Sequence, residues 1–255
     1  MTSSTEHGAA HVDQTPRAPF PLEERAERLP QPVSAVDRGN FLLRGLDAAG
    51  WSLIEPHLKP AALTPGDLLE ERGRRASFLY FPISGAVSIE AGAPRGKRMQ
   101  MALVGREGMV GTSLLLDGDA ANQARVMFGG PAWRLSANDL AACLALSPAL
   151  HRQFLRGVNS FIAYLSLAAL ANGQGTIEQR LARWLLIAAD RLDTELISIT
   201  HEALSDVLGV RRAGVTVALH ILEGKQALRS ERRHIRILNH EKLTLAAGPY
   251  RPQRI

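Results

Sequence analysis

Residues 200–223 read THEALSDVLGVRRAGVTVALHILE, and this stretch predicts two short helices joined by a tight turn. Thr200 is a suitable N-cap for the first helix, and Gly209 permits the sharp turn between the two. In the second helix four apolar residues recur at i, i+3, i+4 and i+7, which predicts one buried side: Val215, Ala218, Leu219 and Leu222. Two helices with this arrangement are typical of a helix-turn-helix.

The outward side of the second helix is predicted to carry the residues that the buried side leaves over. These are Arg211, Arg212, Ala213, Thr216, Val217 and His220. Any helical hairpin shows a polar outward face, so this feature alone fits a solvated surface as well as a nucleic-acid contact. The segment that follows favours the nucleic-acid contact.

Residues 227–238, ALRSERRHIRIL, predict a β-hairpin with residues 231–234 at its tip. A hairpin directly after a helix-turn-helix is a wing, and this one carries four basic residues: Arg229, Arg232, Arg233 and Arg236. Arginines on a small ribbon suit phosphates, which supply most of the sequence-independent affinity for DNA. A charged edge that blocks strand addition is the alternative. Because the helix pair directly precedes it in the sequence, the hairpin favours DNA binding. Thr200, at the start of the first helix, is a further candidate DNA contact.

Composition limits the other functions open to this 255-residue chain. Its net charge is +5, and seven basic residues stand against two acidic ones from Arg211 to Arg236, so positive charge is concentrated near the C-terminus. Cys143 is the sole cysteine, which excludes an intrachain disulfide and fits the cytoplasm. There is no HExxH or GxSxG motif and no paired Cys/His array, so we predict no enzyme, no cofactor and no metal site. The N-terminal residues also lack the pattern of a signal peptide.

Four parts follow from the distribution of charge, proline and apolar residues, and together they predict an α+β fold. Residues 1–39 are acidic and contain several prolines, as a mobile tail would. Residues 40–147 contain short, partly alternating apolar runs separated by Gly and Pro, which is typical of an all-β sandwich or barrel. Residues 148–171 predict a long helix, and residues 172–255 hold the helix pair and the wing.

The long helix is predicted to begin at Ser147 and Pro148, an N-cap and a first-turn proline. An apolar seam then recurs at spacings of 4, 3, 4 and 3: Phe154, Val158, Phe161, Leu165 and Ala168. A second stripe lies beside it: Leu155, Ile162 and Ala169. A helix that is apolar on two sides must bury both. We therefore predict that one side packs on the β domain and that the seam forms a homodimer interface; a core helix within one domain is the alternative. The apolar run is shorter than the roughly 20 residues of a membrane span, so no membrane contact is predicted.

The order of β domain, long helix and winged helix resembles the Crp–Fnr superfamily of bacterial transcription regulators. The match runs over residues 40–246, and its most specific segments are GREGMVG (105–111) with the following LLLDG, IEQRLARWLLIAADRL (177–192) and residues 199–223. The resemblance implies a jelly roll of the cyclic-nucleotide-binding type, a dimerising long helix and a winged helix whose second helix enters the major groove. Double-stranded DNA is the implied partner, and RNA polymerase a further one. Arg212 matches an arginine with which the family reads guanine, whereas Ala213 and Val217 replace a glutamate and a second arginine of many members.

The effector site departs from the family pattern. Cyclic-nucleotide binders of this family carry Gly-Glu in a phosphate loop and an Arg-Ser/Thr pair further along. The corresponding positions here are Gly111-Thr112 and Asn122-Gln123, with Arg125 three positions beyond. A buried phosphodiester would lack its arginine, so we predict no response to cAMP and leave the small-molecule effector open. The alternatives are a constitutive DNA-binding factor with a vestigial effector pocket, and a nucleotide-sensing module that acts on another protein. The last would keep the phosphate loop and lack the basic wing.

Overall fold

The protein is described by a computed structural model that covers residues 38–92 and 98–252, so the predicted mobile tail lies almost entirely outside the described residues. Two short helices come first, α1 (Phe41–Arg44) and α2 (Ala48–Ile54). Asn40 caps α1. Its buried side-chain amide also donates to the carbonyls of Pro82 (3.0 Å) and Gly108 (2.8 Å), which anchors this segment on the β domain.

Seven strands form the β domain: β1 (Lys59–Leu63), β2 (Leu68–Glu70), β3 (Phe78–Pro82), β4 (Ala86–Gly92), β5 (Arg98–Val104), β6 (Gln123–Phe128) and β7 (Gly130–Ser136). They make two antiparallel sheets, of order β1-β7-β3 and β2-β6-β4-β5. Side chains alternate across the four-stranded sheet. Val87 and Val126 belong to the core shared with the three-stranded sheet, whereas Leu103 and Met127 face the other way and are buried by the C-terminal helices.

Two helices continue the chain, α3 (Ala137–Leu146) and α4 (Pro148–Gln174). Ser147 Oγ accepts a hydrogen bond from the Leu150 amide at 3.2 Å, and Pro148 lies in the first turn, as the sequence predicts. α4 has 27 residues and is the one helix among the described residues that is long and apolar enough to cross a membrane by length and composition alone. The shortness of the apolar run is therefore no reason to exclude a membrane span.

Most of the predicted dimer seam on α4 packs within the chain. Phe154 and Val158 are buried in a core of the β domain, where the Phe154 ring lies 5.8 Å from the ring of Phe81. The rest of the seam is also buried or half-buried within the same chain: Phe161, Leu165 and Ala168. These side chains are stabilised by intrachain packing, so they do not offer a free surface to a second helix.

The second apolar stripe of α4 lies on the outward side instead. Ile162 is 55% exposed, Ala169 is exposed, and Leu170 beside them is 46% exposed, whereas Leu155, the first residue of the stripe, is half-buried against the β-domain core. The heptad pattern did not distinguish the two stripes because both repeat every seven residues. Which stripe is covered depends on where the β domain meets the helix, a long-range contact that the local pattern does not contain.

The C-terminal domain begins with α5 (Ile177–Leu192), which is capped reciprocally by Thr176 and Gln179. The other elements are β8 (Leu196–Ser198), α6 (His201–Leu208), α7 (Arg212–Gly224), β9 (Leu228–Glu231), β10 (His234–Ile237) and α8 (His240–Ala247). The three strands form an antiparallel sheet of order β8-β10-β9. α5 is buried from Leu181 to Ala189 and lies at the centre of this domain, against α7 and α8.

The β domain and the C-terminal domain contact each other along β5 and α5. Trp184 Nε1 donates to Gln100 Oε1 at 2.6 Å. The buried Arg191 and the largely buried side chain of Glu107 form an ion pair at 2.8 Å. Burial raises the pKa of the Glu107 carboxyl, although Arg191 opposes this shift. Gly105 gives Arg191 room, since a β-carbon there would lie 2.8 Å from the Arg191 side chain. The interface therefore contains specific polar contacts in addition to apolar packing.

Candidate nucleic-acid interface

The turn between α6 and α7 has the geometry that the sequence predicts. Thr200 Oγ1 accepts from the Ala203 amide at 3.1 Å and caps α6. Gly209 ends α6 with φ +63°, in the left-handed region where a β-carbon is disfavoured. The Val210 amide donates to the Ser205 carbonyl at 3.0 Å and closes the turn. These bonds fix the angle at which α7 leaves α6.

α7 has one buried and one exposed side. Its buried side packs on the domain core through the four predicted residues: Val215, Ala218, Leu219 and Leu222. Arg212, Ala213 and His220 are exposed on the other side, together with Val217 (59%) and Ile221 (42%). Ile221 was missed in the sequence, because an isoleucine beside Leu222 suggests a core position. Exposed aliphatic side chains beside arginines suit the apolar edge of a thymine in the major groove.

The start of α7 concentrates positive charge that the chain does not neutralise. Arg211 is the N-cap residue without a side-chain capping bond, and Arg212 is the first helical residue. Both side chains are exposed, and neither forms an ion pair within the described part of the chain. A helix N-terminus already carries a partial positive charge, so two arginines there disfavour the isolated helix. An external anion would relieve this repulsion.

The turn at the tip of the wing is shorter than predicted. Glu231 and His234 are paired residues of β9 and β10, so only Arg232 and Arg233 form the tip. Arg233 has φ +66°, a left-handed conformation that the two-residue turn imposes. The basic residues of the wing are exposed and have no carboxylate partner among residues 38–92 and 98–252: Arg229, Arg232, Arg233 and Arg236. Together with the start of α7 they form the basic face, defined by Arg211, Arg212 and these four residues.

A small polar cluster links the helix pair to the wing. His201 on α6 lies 3.2 Å from Ser230 Oγ through Nε2 and 3.4 Å from Thr216 Oγ1 through Nδ1. Burial lowers the pKa of His201, and the nearby Arg212 lowers it further. Glu223 of α7 accepts from the Ser230 amide at 2.7 Å. No local sequence pattern indicates this cluster, whose members are up to 29 residues apart.

Thr216 is less available for DNA than predicted. It is half-buried, and its hydroxyl donates to the Arg212 carbonyl at 3.2 Å besides lying near His201. A threonine bonded back to its own helix holds the hydroxyl away from outside partners. Thr200 is likewise engaged in capping α6 through its side chain.

The glycine loop of the β domain, residues 111–113, is occupied by a carboxylate of the same chain. The Gly111 amide donates to Glu70 Oε2 at 3.2 Å, and Ser113 Oγ donates to Glu70 Oε1 at 3.3 Å. Burial raises the pKa of Glu70, and the two hydrogen bonds oppose this shift. Gly111 has φ +106°, and a β-carbon there would lie 2.5 Å from the Phe78 carbonyl oxygen, so the backbone requires glycine. Thr112 begins a short 3₁₀ turn at this loop.

The remaining effector-pocket candidates do not converge on that loop through direct bonds. Arg125 Nη1 donates to the Gly66 carbonyl at 2.7 Å, at the turn between β1 and β2. Gln123 lies opposite Glu90 in the β4–β6 ladder, and Asn122 directly precedes it. Within the described residues no hydrogen bond joins Asn122, Gln123 or Arg125 to the glycine loop. Arg125 therefore does not take the place of the phosphate-binding arginine, whose absence the sequence predicts.

The fold and the basic face define a winged helix-turn-helix domain attached to a β-roll domain, and known proteins share this arrangement. Residues 179–245 match the Crp-like helix-turn-helix domain family. The chain is 25% identical over 185 residues to the global nitrogen regulator of Nostoc sp. (strain PCC 7120), a region that covers 68% of this chain and 82% of that protein.

Solved structures show the same fold at low sequence identity. FixK2 from Bradyrhizobium japonicum gives a TM-score of 0.64 at 17% identity, covering 78% of this chain and 99% of that one. A Crp-family transcriptional regulator from Thermus thermophilus, TTHB099, gives a TM-score of 0.61 at 19% identity, covering 74% of this chain and 96% of that one.

Residues 179–245 are accordingly a Crp-like helix-turn-helix DNA-binding domain, and the chain as a whole is similar to Crp/Fnr-type transcriptional regulators. The α+β fold and the family resemblance predicted from the sequence are confirmed. The family consists of transcriptional regulators, which are not enzymes.

Proposed function

We propose that this regulator binds double-stranded DNA sequence-specifically as a homodimer and does not respond to cAMP. The observation that carries the proposal is the basic face, whose six exposed arginines lie on two adjacent elements and lack carboxylate partners among the described residues. Some exposed arginines of the β domain do have a carboxylate partner, as Arg74 has Glu71 and Arg75 has Asp117. Unpaired arginines beside a helix N-terminus favour a polyanion.

The two elements of the basic face would have different roles on DNA. α7 would enter the major groove, where Arg212 can donate two hydrogen bonds to a guanine. Ala213, Val217 and Ile221 would meet apolar base edges. The wing arginines would contact phosphates, which add affinity without sequence preference. The link from His201 to Ser230 and Thr216 would keep the two elements at a fixed angle.

The homodimer is supported by the outward stripe of α4. Five residues recur at spacings of 4, 3, 4 and 3 on this side: Leu155, Asn159, Ile162, Ser166 and Ala169. Leu155 packs on the β-domain core, but from Asn159 to Ala169 the stripe is exposed, and Ile162 with its small neighbours suits a second copy of the same helix. Pairing α4 with its twin would place two recognition helices on one DNA face, with half-sites about 34 Å apart.

Insensitivity to cAMP is supported by Glu70. The amide and the hydroxyl that a phosphate would need at the glycine loop already donate to the Glu70 carboxylate. Arg125, three residues beyond Asn122, is bonded to Gly66 instead. A phosphodiester would have to displace the half-buried Glu70 carboxylate and would gain no arginine in return. The same observation favours the second candidate, a constitutive factor whose vestigial effector pocket is closed.

The proposed site of action is the bacterial cytoplasm, and RNA polymerase stays a predicted partner. The test is selection of genomic DNA fragments by the full-length protein, followed by gel shift of the enriched sequence at two salt concentrations. We expect enrichment of a near-palindrome and an affinity that falls steeply with salt. Failure to enrich any sequence would contradict the proposal.

A further inference from the structure

We propose that the crevice between the β domain and the C-terminal domain binds a small oxyanion, the carboxylate or phosphate group of a metabolite, through Arg183 and Arg180. This anion crevice lies where β5, α4, α5 and α6 meet. It is separate from the glycine loop and from the basic face. Its lining includes Gln100 and Met101 of β5, Tyr164 of α4, and Arg180 and Arg183 of α5.

Arg183 is the central observation. Its side chain is only 6% exposed, and its Nε and Nη2 groups are buried without a hydrogen-bond partner in the described part of the chain. The guanidinium carbon lies 5.1 Å from the centroid of the Tyr164 ring. A ring face attracts the cation but satisfies none of its N–H groups in the ring plane. Burying such donors unpaired is costly, and a planar fork of N–H groups matches an oxyanion.

Arg180 adds a second positive charge to the same crevice. Its Nε donates to Asn172 Oδ1 at 3.2 Å, and its Nη2 donates to the Leu208 carbonyl. Both acceptors are uncharged, and burial lowers the pKa of Arg180. No acidic side chain is among the described residues that line the crevice. Two guanidinium groups therefore share a partly buried space without a counterion.

Arg191 provides an internal comparison at the same domain interface. It is as buried as Arg183, at 6% exposure, and its Nε group also lacks a well-aligned hydrogen bond, but a carboxylate, Glu107, lies 2.8 Å from it. The fold thus neutralises one buried interdomain arginine with its own acid and leaves the other without one. A structural arginine would be expected to resemble Arg191. Arg183 resembles a binding residue.

The size of the crevice limits the ligand. Its volume is about 40 Å³. By the same measure a single water needs about 10–15 Å³. There is room for one carboxylate or phosphate group, whereas a whole nucleotide would require the domains to separate. Because both domains supply walls, a bound oxyanion would hold their present arrangement. An effect of the anion on DNA affinity rests on the proposed function, but its binding does not.

The test is isothermal titration calorimetry on the full-length protein without DNA. Sodium phosphate and sodium acetate are titrated separately, with the ionic strength held constant by sodium chloride. We expect saturable one-site binding of at least one of the two anions. Arg183→Gln should weaken this binding at least tenfold. Arg152→Gln, which removes an exposed arginine of α4 without an ion pair, should leave it unchanged.

The outcomes separate the crevice from other basic surfaces. Equal affinity in the wild type and in Arg183→Gln would show that exposed arginines bind the anion, and it would overturn the proposal. So would the absence of saturable binding of both anions. If Arg183→Gln does not fold, Ala168→Leu fills the crevice while both arginines remain, and loss of binding in that variant is the expected result. Retained binding in Ala168→Leu would equally overturn it. Since no DNA is present, failure here leaves the DNA-binding proposal to its own test.

Discussion

The basic face and the glycine loop both present hydrogen-bond donors, but they differ in what neutralises them. The arginines at the start of α7 and on the wing are exposed and have no carboxylate partners among the described residues. In the loop, Gly111 and Ser113 donate to Glu70, an acid of the same chain. The first surface is left open to an external polyanion, and the second is closed from within. A shared fold therefore does not imply a shared effector.

The largest expected effect concerns the two glycines that shape these regions. Gly111→Ala should lower the free energy of unfolding by roughly 3 kcal/mol, because a β-carbon at positive φ would also lie 2.5 Å from the Phe78 carbonyl oxygen. Gly209→Ala, at positive φ but with nothing closer than 3.5 Å, should cost about 1 kcal/mol. Urea unfolding of both variants measures the difference. Equal losses would mean that the loop backbone is not fixed by this contact.

The second prediction concerns the homodimer, in which two copies of the basic face would contact DNA. Ile162→Lys places a charge in the outward stripe of α4 and should raise the dimer dissociation constant at least tenfold, about 1.4 kcal/mol. Sedimentation equilibrium measures it. Leu146→Lys is the matched control, since Leu146 is 75% exposed on α3, outside the stripe. If Ile162→Lys leaves the dimer intact and the control variant dissociates it, the dimer interface does not lie on α4.

The third prediction separates phosphate contacts from base contacts within the basic face. Arg232→Ala should weaken specific and random DNA alike and reduce the slope of log affinity against log salt by about one unit. Fluorescence anisotropy over a salt series gives this slope. Arg152→Ala, on α4, should leave it unchanged. A loss confined to the specific site would assign Arg232 to base reading instead.

The smallest effect is expected at Glu70. Burial raises its pKa in the folded chain above the ordinary value of 4.5, so folding favours the protonated form. Its contribution to stability is present below the unfolded pKa and is lost as the pH rises through the folded pKa. The Gln side chain in Glu70→Gln does not ionise. The free energy of unfolding of this variant, relative to that of the wild type, should therefore increase with pH above about 4.5. Thermal unfolding from pH 4 to 8 measures this, and parallel curves would contradict the assigned environment.

Local patterns in the sequence were sufficient for some parts of the molecule. The buried side of α7, the capping by Thr200 and the turn at Gly209 depend on neighbours within a few residues, so periodicity and residue type predict them. The wing follows in the same way, except that its tip is shorter by one residue on each side.

Contacts between distant residues could not be predicted in this way. The choice between the two stripes of α4 depends on the β domain. Glu70 is 41 residues from Gly111 in the chain, and nothing local marks it as the partner of the loop. Arg183 reads as one more charge on an amphipathic helix until α5 is seen to be buried by the β domain. These long-range contacts decide which charges are neutralised.

Sequence reading by α7 is the property on which the proposed function depends most. Its most direct test compares Arg212→Ala with the wild type on the selected site and on random DNA of equal length. We expect the variant to lose about 1–3 kcal/mol of discrimination between the two, mostly through weaker binding to the selected site. An equal loss of affinity for both DNAs would contradict sequence reading by this residue, because Arg212 would then contact only the phosphate backbone.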